Sequence, residues 1–281
     1  MGRPFRFSGS PSMPYPSSDP TDGQRLYVLG DIHGRRDLLE DMVGRVCADL
    51  VARPHPRARL ICLGDYIDRG PDSRGVIETL IALEASELPT DFLLGNHDSY
   101  IAHYLEDPDW FDRTYHWLHS AMGGAATLAS YGVPDATETD PGATRDAFAA
   151  AFPDAHRDFI ARCALWRQIG DYVFVHAGLR PRVPLEDQTR DDCIWIREPF
   201  LSSTDDFGFV VVHGHTIVPE VQRRPNRIAI DTGVAKGGPL TCLVLEDDSV
   251  ATLQPDGLRA LPPGAGVPRQ GLISRISGIW R

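Results

Sequence analysis

The sequence is short of several things that would place it at once. It has no C-x-x-C pair, and its five cysteines, Cys47, Cys62, Cys163, Cys193 and Cys242, are scattered and odd in number. A disulfide framework or a cysteine zinc site is therefore not expected, and free thiols in a reducing compartment are. No apolar run approaches the length of a membrane span, and the N-terminus lacks the apolar stretch of a signal peptide. The expectation is a soluble cytoplasmic protein with no membrane partner. Basic residues are few: 28 Lys and Arg stand against 39 Asp and Glu, a net charge of −11. General nucleic-acid binders carry the opposite balance, so no nucleic-acid partner is expected. The same surplus of carboxylates suits a chain that collects cations. No internal repeat is found. What is present is ordinary globular material, 42% hydrophobic and 24% charged over 281 residues, enough for one large domain or at most two small ones.

Residues 1–22 carry Pro4, Pro11, Pro14, Pro16 and Pro20 among serines and glycines. They offer no face to bury, and a disordered N-terminal tail is expected. From residue 23 to 255 the pattern is that of one folded unit. Apolar runs at 26–29, 60–63 and 91–94 each end at a glycine and predict buried strands. Between them, Leu38, Leu39, Met42, Val43, Val46 and Leu50, then Val76, Ile77, Leu80, Ile81 and Leu83, recur at helical spacing. Alternating strands and helices predict an α/β fold with a parallel sheet. The stretch from about 99 to 168 mixes aromatics with prolines and glycines and predicts a helical insertion with loops beside the sheet. Strand-like runs return at 172–175, 209–212, 227–230, 240–245 and 249–253. The close spacing of the last three predicts antiparallel strands. Residues 256–281 are expected to form a C-terminal tail.

The chemistry collects where the strands end. The first three runs lead into Gly30-Asp31-Ile32-His33-Gly34, Gly64-Asp65-Tyr66-Ile67-Asp68-Arg69-Gly70 and Gly95-Asn96-His97-Asp98. Two later runs lead into His176-Ala177-Gly178 and His213-Gly214-His215-Thr216. Sites in open parallel sheets form beyond the carboxyl ends of strands, so these clusters should meet. The donors are carboxylate oxygen, amide oxygen and imidazole nitrogen, without thiolate. That set suits manganese, iron, zinc or magnesium. It is too large for one ion and fits two, roughly 3.5–4 Å apart as in two-metal hydrolases. Burying so many polar groups without a metal would be costly. His213 is either a contact to substrate or metal or a packed strand-end residue. Asp231 is either a hydrogen-bond acceptor for a ligand histidine or part of an Asp-Thr-Gly turn.

The three clusters resemble, in order, the GDxHG, GDxxDRG and GNH(D/E) blocks of the phosphoprotein phosphatase (PPP) family of calcineurin-like metallophosphoesterases. His176-Ala177-Gly178 and Gly214-His215-Thr216 are similar to that family's two later histidine blocks. The likeness covers about residues 25–250 and is strongest toward bacterial serine/threonine phosphatase members, through His-Ala-Gly-Leu at 176–179, Trp195-Ile196-Arg197-Glu198 and Ile230-Asp231-Thr232-Gly233. It implies an αββα sandwich of two mixed β-sheets flanked by helices. It implies that Asp31 and His33 bind a first metal, that Asp65 bridges, and that Asn96, His176 and His215 bind a second. His97 would be the general acid, held by Asp68, and Arg69 and Arg197 would grip phosphate. The ions would be two divalent metals, manganese first, with iron or zinc as alternatives. Where many members have glutamate after the third-block histidine, this chain has Asp98, which keeps the charge and shortens the reach.

The function this implies is a metal-dependent phosphomonoesterase acting by direct attack of a metal-bridging hydroxide. Phosphoserine or phosphothreonine proteins, or small phosphoesters, are the first expectation for its substrate. Symmetrical hydrolysis of diadenosine tetraphosphate, or another nucleotide phosphohydrolase activity, is the second. A non-catalytic phosphate-binding scaffold is a third, opposed by the completeness of the ligand set.

Overall fold

The structure is a computed structural model that describes residues 19–112, 115–136 and 141–266. The expected tails at 1–18 and 267–281 lie outside the described residues. The chain runs through β1 (Arg25–Leu29), α1 (Arg36–Ala52), β2 (Ala58–Cys62), α2 (Ser73–Glu84), β3 (Thr90–Phe92) and α3 (Asn96–Glu106). A small hairpin, β4 (Phe111–Asp112) and β5 (Tyr115–His116), leads to α4 (Gly124–Ser130), α5 (Pro141–Ala151) and α6 (Asp154–Arg162). There follow β6 (Trp166–Ile169), β7 (Tyr172–Val175), α7 (Arg190–Trp195), β8 (Val210–His213), β9 (Gln222–Arg223) and β10 (Arg227–Ala229). The chain closes with β11 (Cys242–Glu246), β12 (Ser249–Gln254) and β13 (Gly257–Ala260).

Two mixed sheets form the centre. One has the order β13-β12-β11-β1-β2-β3 and the other β6-β7-β8-β10-β9. β1 explains the layering. All five of its residues are buried, because both faces of the strand are covered. Alternation sends Leu26 and Val28 toward the second sheet, where they join Ile61, Leu63, Phe174, Val212, Ile228 and Leu243. Tyr27 and Leu29 point the other way, into a core with Leu39, Met42 and Val46 of α1 and Val76, Ile77 and Leu80 of α2. The outer face of the second sheet is closed by Cys193 and Ile194 of α7 and by Phe200. Helices thus flank two stacked sheets, the αββα sandwich expected from the sequence. No helix among the described residues is long and apolar enough to cross a membrane.

Three expectations change. The run at 227–230 is not the first of an antiparallel set: β10 lies in the second sheet, parallel to β8, with Ile228 opposite Val212. The chain then crosses to the first sheet, where β11 runs antiparallel to β1. Sequence spacing cannot show which sheet a strand joins. Residues 257–260, expected as tail, form β13, an exposed edge strand paired with β12. At the other end, Pro20 and Thr21, expected within the disordered tail, are buried. The Asp171 N–H donates to the Pro20 carbonyl at 2.9 Å. The 99–168 stretch holds the rest of α3, the β4–β5 hairpin and helices α4, α5 and α6, and runs into β6.

Phe174 is fully buried between the two sheets. Phe174→Ala is expected to cost about 3–5 kcal/mol through lost contacts and a cavity that stacked sheets cannot close. Urea denaturation monitored by circular dichroism checks this; a loss below about 1 kcal/mol would show that the inter-sheet core can collapse.

Candidate metal centre

Strand ends from both sheets converge on one cavity of about 640 Å³. Asp31 and His33 follow β1, Asp65, Asp68 and Arg69 follow β2, and Asn96 and His97 open α3 shortly after β3. His176 follows β7, Arg197 follows α7, and His215 follows β8. The ten residues to which the family resemblance gives roles are therefore brought together. The backbone is bent hard to do this. His33, Asp65, Asp68, Arg69 and His215 have φ of +46°, +52°, +73°, +68° and +60°. Such left-handed conformations are unfavourable outside glycine and concentrate where the surroundings enforce them. Two glycines allow the closest approaches. A Cβ on Gly95 would lie 2.1 Å from the Asp65 nitrogen, and one on Gly214 would lie 2.2 Å from Asp31 Oδ1.

His33 Nδ1 is 2.9 Å from the Ile67 carbonyl oxygen, and His176 Nδ1 is 3.0 Å from that of Leu63. A carbonyl only accepts, so each ring carries its proton on Nδ1 and turns a bare Nε2 inward. His33 Nε2 lies 3.6 Å from Asp65 Oδ2, and His176 Nε2 lies 3.3 Å from Asp65 Oδ1. The Asn96 Oδ1 sits 3.0 Å from His176 Nε2 and 2.9 Å from His215 Nδ1. His215 Nε2 is buried with no hydrogen-bond partner. The bare Nε2 atoms of His33 and His176 thus face the two oxygens of Asp65.

The electrostatics point the same way. Burial, then the neighbouring Asp231 and Asp65, pushes the Asp31 carboxyl well above its usual range. Burial, then Asp98, does the same to Asp65. Burial holds His176 down to about 3 and also lowers His33 and His215. Acids that resist ionisation and imidazoles that resist protonation, all facing one point, form a donor set that a divalent cation satisfies. Potential ligand atoms gather in two triads among the described residues, His33–Asp65–His97 and Asp65–His176–His215. Asp65 belongs to both. Asp31, expected to pair with His33, is in neither. Its carboxylate accepts the His215 N–H at 3.1 Å, and His97 occupies the place beside His33, ring centroids 4.8 Å apart.

His97 Nδ1 is bound to Asp68 Oδ2 at 2.6 Å. Asp68 is itself clamped. Trp117 Nε1–H donates to both its oxygens, at 3.0 and 2.9 Å, and the Thr127 hydroxyl donates at 2.7 Å. Burial pushes the Asp68 carboxyl up to about 7 against the pull of these donors. Burial, then Arg69 and Arg197, keeps His97 low. Trp117 and Thr127 are contacts of the site that sequence reasoning missed; they lie in the 99–168 insertion, and no local pattern connects them to Asp68.

Asp98 also gains a definite role. Its carboxylate accepts the N–H of Asp65 at 2.8 Å, of Tyr66 at 2.9 Å and of Gly95 at 2.9 Å. It pins the second block to the third, and the shorter side chain reaches far enough.

Arg69 donates to His33 Nε2 and His97 Nε2, both at 3.1 Å. Arg197 also lines the cavity, as do Tyr100, Tyr115, Met122, Trp195, Ile217, Asp231 and Lys236. Tyr115 and Ile217, which line the cavity too, leave 42% and 39% of their surface exposed. His213 does not join the site. Its ring packs 5.0 Å from Phe200 on the outer face of the second sheet, the packed strand-end reading. Asp231 Oδ1 accepts the Gly233 N–H at 2.9 Å, the turn reading, while its carboxyl still faces the cavity.

The sequence profile described as calcineurin-like phosphoesterase matches residues 24–236. A symmetrical bis(5'-nucleosyl)-tetraphosphatase of Nitrosomonas europaea is 26% identical over 275 residues, covering 80% of this chain and 96% of its own length. An asymmetrical bis(5'-nucleosyl)-tetraphosphatase of Halalkalibacterium halodurans is 24% identical over 251 residues, covering 81% and 94%. Among solved structures, a cold-active protein-tyrosine phosphatase of a Shewanella species superposes with a TM-score of 0.57 at 15% identity, covering 93% of this chain and 89% of its own. That last likeness concerns the fold alone.

Asp98→Asn replaces one accepting oxygen with an amide NH₂ that faces a backbone N–H. The expected cost is about 1–3 kcal/mol of stability, together with about 10–100-fold weaker metal binding as the Asp65 turn loosens. Denaturation and manganese titration by calorimetry measure the two effects; unchanged metal affinity would show that Asp98 serves folding only.

Proposed function

Since the chain belongs to the calcineurin-like phosphoesterase family, we propose that it hydrolyses bis(5'-nucleosyl) tetraphosphates symmetrically, using two divalent ions held by Asp31, His33, Asp65, Asn96, His176 and His215. The observation that carries the substrate is a pair of adjoining concavities. The cavity at the histidines shares Trp195 and Arg197 with a second one of about 530 Å³. A substrate reacting at the histidines then has room to extend past Arg197 into the second concavity, which Arg180, Asp191, Asp192 and Glu198 also line. Tyr115 and Trp195 give the first cavity walls on which a base can stack. The two relatives that match most of this chain are both named for dinucleoside tetraphosphates. The family resemblance put phosphoserine first, but the motifs are shared between the two readings and barely separate an ester from an anhydride.

Bound divalent ions screen the charge of the phosphate and bring the pKa of a water near neutrality; manganese, or iron or zinc, suits these ligands. The protein's own groups do the rest. Asp65, with an oxygen toward each triad, is placed to hold both ions. Arg69 and Arg197 each offer paired N–H donors to non-bridging phosphate oxygens. His97, with Nδ1 tied to Asp68, would return a proton from Nε2 to the leaving oxygen once Arg69 leaves that nitrogen for phosphate.

A second reading, a serine/threonine phosphomonoesterase, is favoured by that same His97–Asp68 pair. An alkoxide leaving group depends on a proton donor far more than a nucleoside diphosphate does. A phosphate-binding scaffold would have no use for a buried acid and its clamp.

The deciding assay supplies manganese and offers diadenosine tetraphosphate beside a phosphoserine peptide. Two molecules of ADP as the sole nucleotide product support the proposal. ATP plus AMP, or hydrolysis of the peptide alone, overturns it. His97→Asn is expected to slow an alkyl phosphate more than nitrophenyl phosphate, within the ~10²–10⁴-fold range of general acid catalysis. Equal slowing of both, with metal content intact, would remove His97 from the role of leaving-group acid.

A further inference from the structure

Lys236 is the only lysine in the chain; every other one of the 28 basic residues is arginine. That single ammonium lines the cavity of the metal centre. Its residue is exposed, which places it at the mouth rather than the floor. It makes no hydrogen bond or salt bridge with any described residue, although its charge acts on Asp231. Its backbone, by contrast, is firmly held. Lys236 ends a short 3₁₀ turn, Val234–Lys236, set between Gly233 and Gly237 with φ of +83° and +84°. The Lys236 and Gly238 N–H groups donate to the Gly233 carbonyl at 2.8 and 2.9 Å. The Thr232 hydroxyl, 2.7 Å from both the Pro239 carbonyl and Thr241 Oγ1, anchors the other side of the turn. A fixed backbone therefore carries an uncommitted cation on a flexible stem beside the cavity.

We infer that Lys236 is a subsite for a phosphate other than the reacting one, and that it selects substrates with an extended polyphosphate chain over simple monoesters. The inference rests on the reading of a dinucleoside tetraphosphate substrate, which supplies phosphates beyond the scissile position. The reacting group has its own cations, because Arg69 lies against His33 and His97 on the floor. A charge at the rim meets the next phosphate along. Lysine suits that place: a distal phosphate is not held in one orientation, and an ammonium on a four-carbon stem follows it as a point charge where guanidinium demands a fixed fork. A tetraphosphate also carries more negative charge than a monoester, so a third cation changes its binding most.

The test compares wild type, Lys236→Ala and Lys236→Arg. For each, kcat/KM is measured on diadenosine tetraphosphate and on nitrophenyl phosphate. Inhibition constants are measured for inorganic tripolyphosphate and for inorganic phosphate at fixed free manganese. Lys236→Ala is expected to lower the ratio of the two kcat/KM values about tenfold or more, the scale of one charge-assisted contact. The ratio of the two inhibition constants should shift by a similar factor, and Lys236→Arg should restore most of both. Lysine uniqueness adds a direct readout. Acetic anhydride meets only two amines, Lys236 and the terminal one, and tripolyphosphate, unlike phosphate, should protect Lys236 in a mass-spectrometric footprint. An equal change on both substrates, or none, overturns the inference and reduces Lys236 to a charge beside Asp231. The substrate reading fails separately. If wild type leaves diadenosine tetraphosphate intact while tripolyphosphate inhibition still depends on Lys236, the subsite stands and the substrate is another polyphosphate. If wild type and Lys236→Ala cleave the dinucleotide equally well, the substrate stands and the subsite falls.

Discussion

Asp65 turns one carboxylate oxygen to His33 and the other to His176, and most of the site is arranged around keeping it there. Its own φ is +52°, a strained conformation that no local preference would choose. The Asp98 carboxylate holds it through the Asp65 and Tyr66 N–H groups, and Asp65 Oδ1 in turn accepts the His97 N–H at 3.0 Å. Gly64 and Gly95 let the two strand ends come together at all; a Cβ on Gly64 would stand 2.4 Å from the Gly95 nitrogen. Sterics and hydrogen bonding thus fix the position of a buried charge that burial alone would expel.

The two sheets share this task unequally. The first sheet supplies Asp31, His33, Asp65, Asn96 and His97 from three neighbouring parallel strands. The second supplies His176 and His215 from β7 and β8. The inter-sheet core of Leu26, Val28, Phe174 and Val212 sets the spacing between the two contributions. A metal site assembled across a core inherits the rigidity of that core, since packed interiors do not deform smoothly. The insertion then adds a third contribution by clamping Asp68 from the far side with Trp117 and Thr127.

Charge is distributed in the same economical way. The molecule is acidic overall, yet its reaction cavity carries Arg69, Arg197 and Lys236 beside an acidic floor. Under the proposed function the acid groups would bind cations, and the cations would then admit a polyanion. A net charge of −11 spread over the rest of the surface is no obstacle, because charges beyond about 10 Å are largely screened at physiological salt.

The sequence by itself determined the elements and the chemistry that needs only local order. Strand β1 is legible because four apolar residues precede a glycine, and α1 because Leu39, Met42 and Val46 recur on one face. The acids and histidines of the site are legible because glycine-flanked clusters follow strands, and strand ends in parallel sheets meet; Arg197, which follows a helix, was singled out through the family resemblance alone. Tertiary structure decided what depends on contacts between distant segments. The place of β10 in the second sheet, parallel to β8, could not be read from spacing, since a strand's partner is chosen across the fold. The clamp of Trp117 and Thr127 on Asp68 spans 49 and 59 residues and leaves no local trace. His213 and His215, two residues apart, ended on different sides of the second sheet's end, one packed against Phe200 and one in the metal centre. A turn at Gly214, with room for no side chain beside Asp31, separates them, and only the folded chain shows that the room is missing.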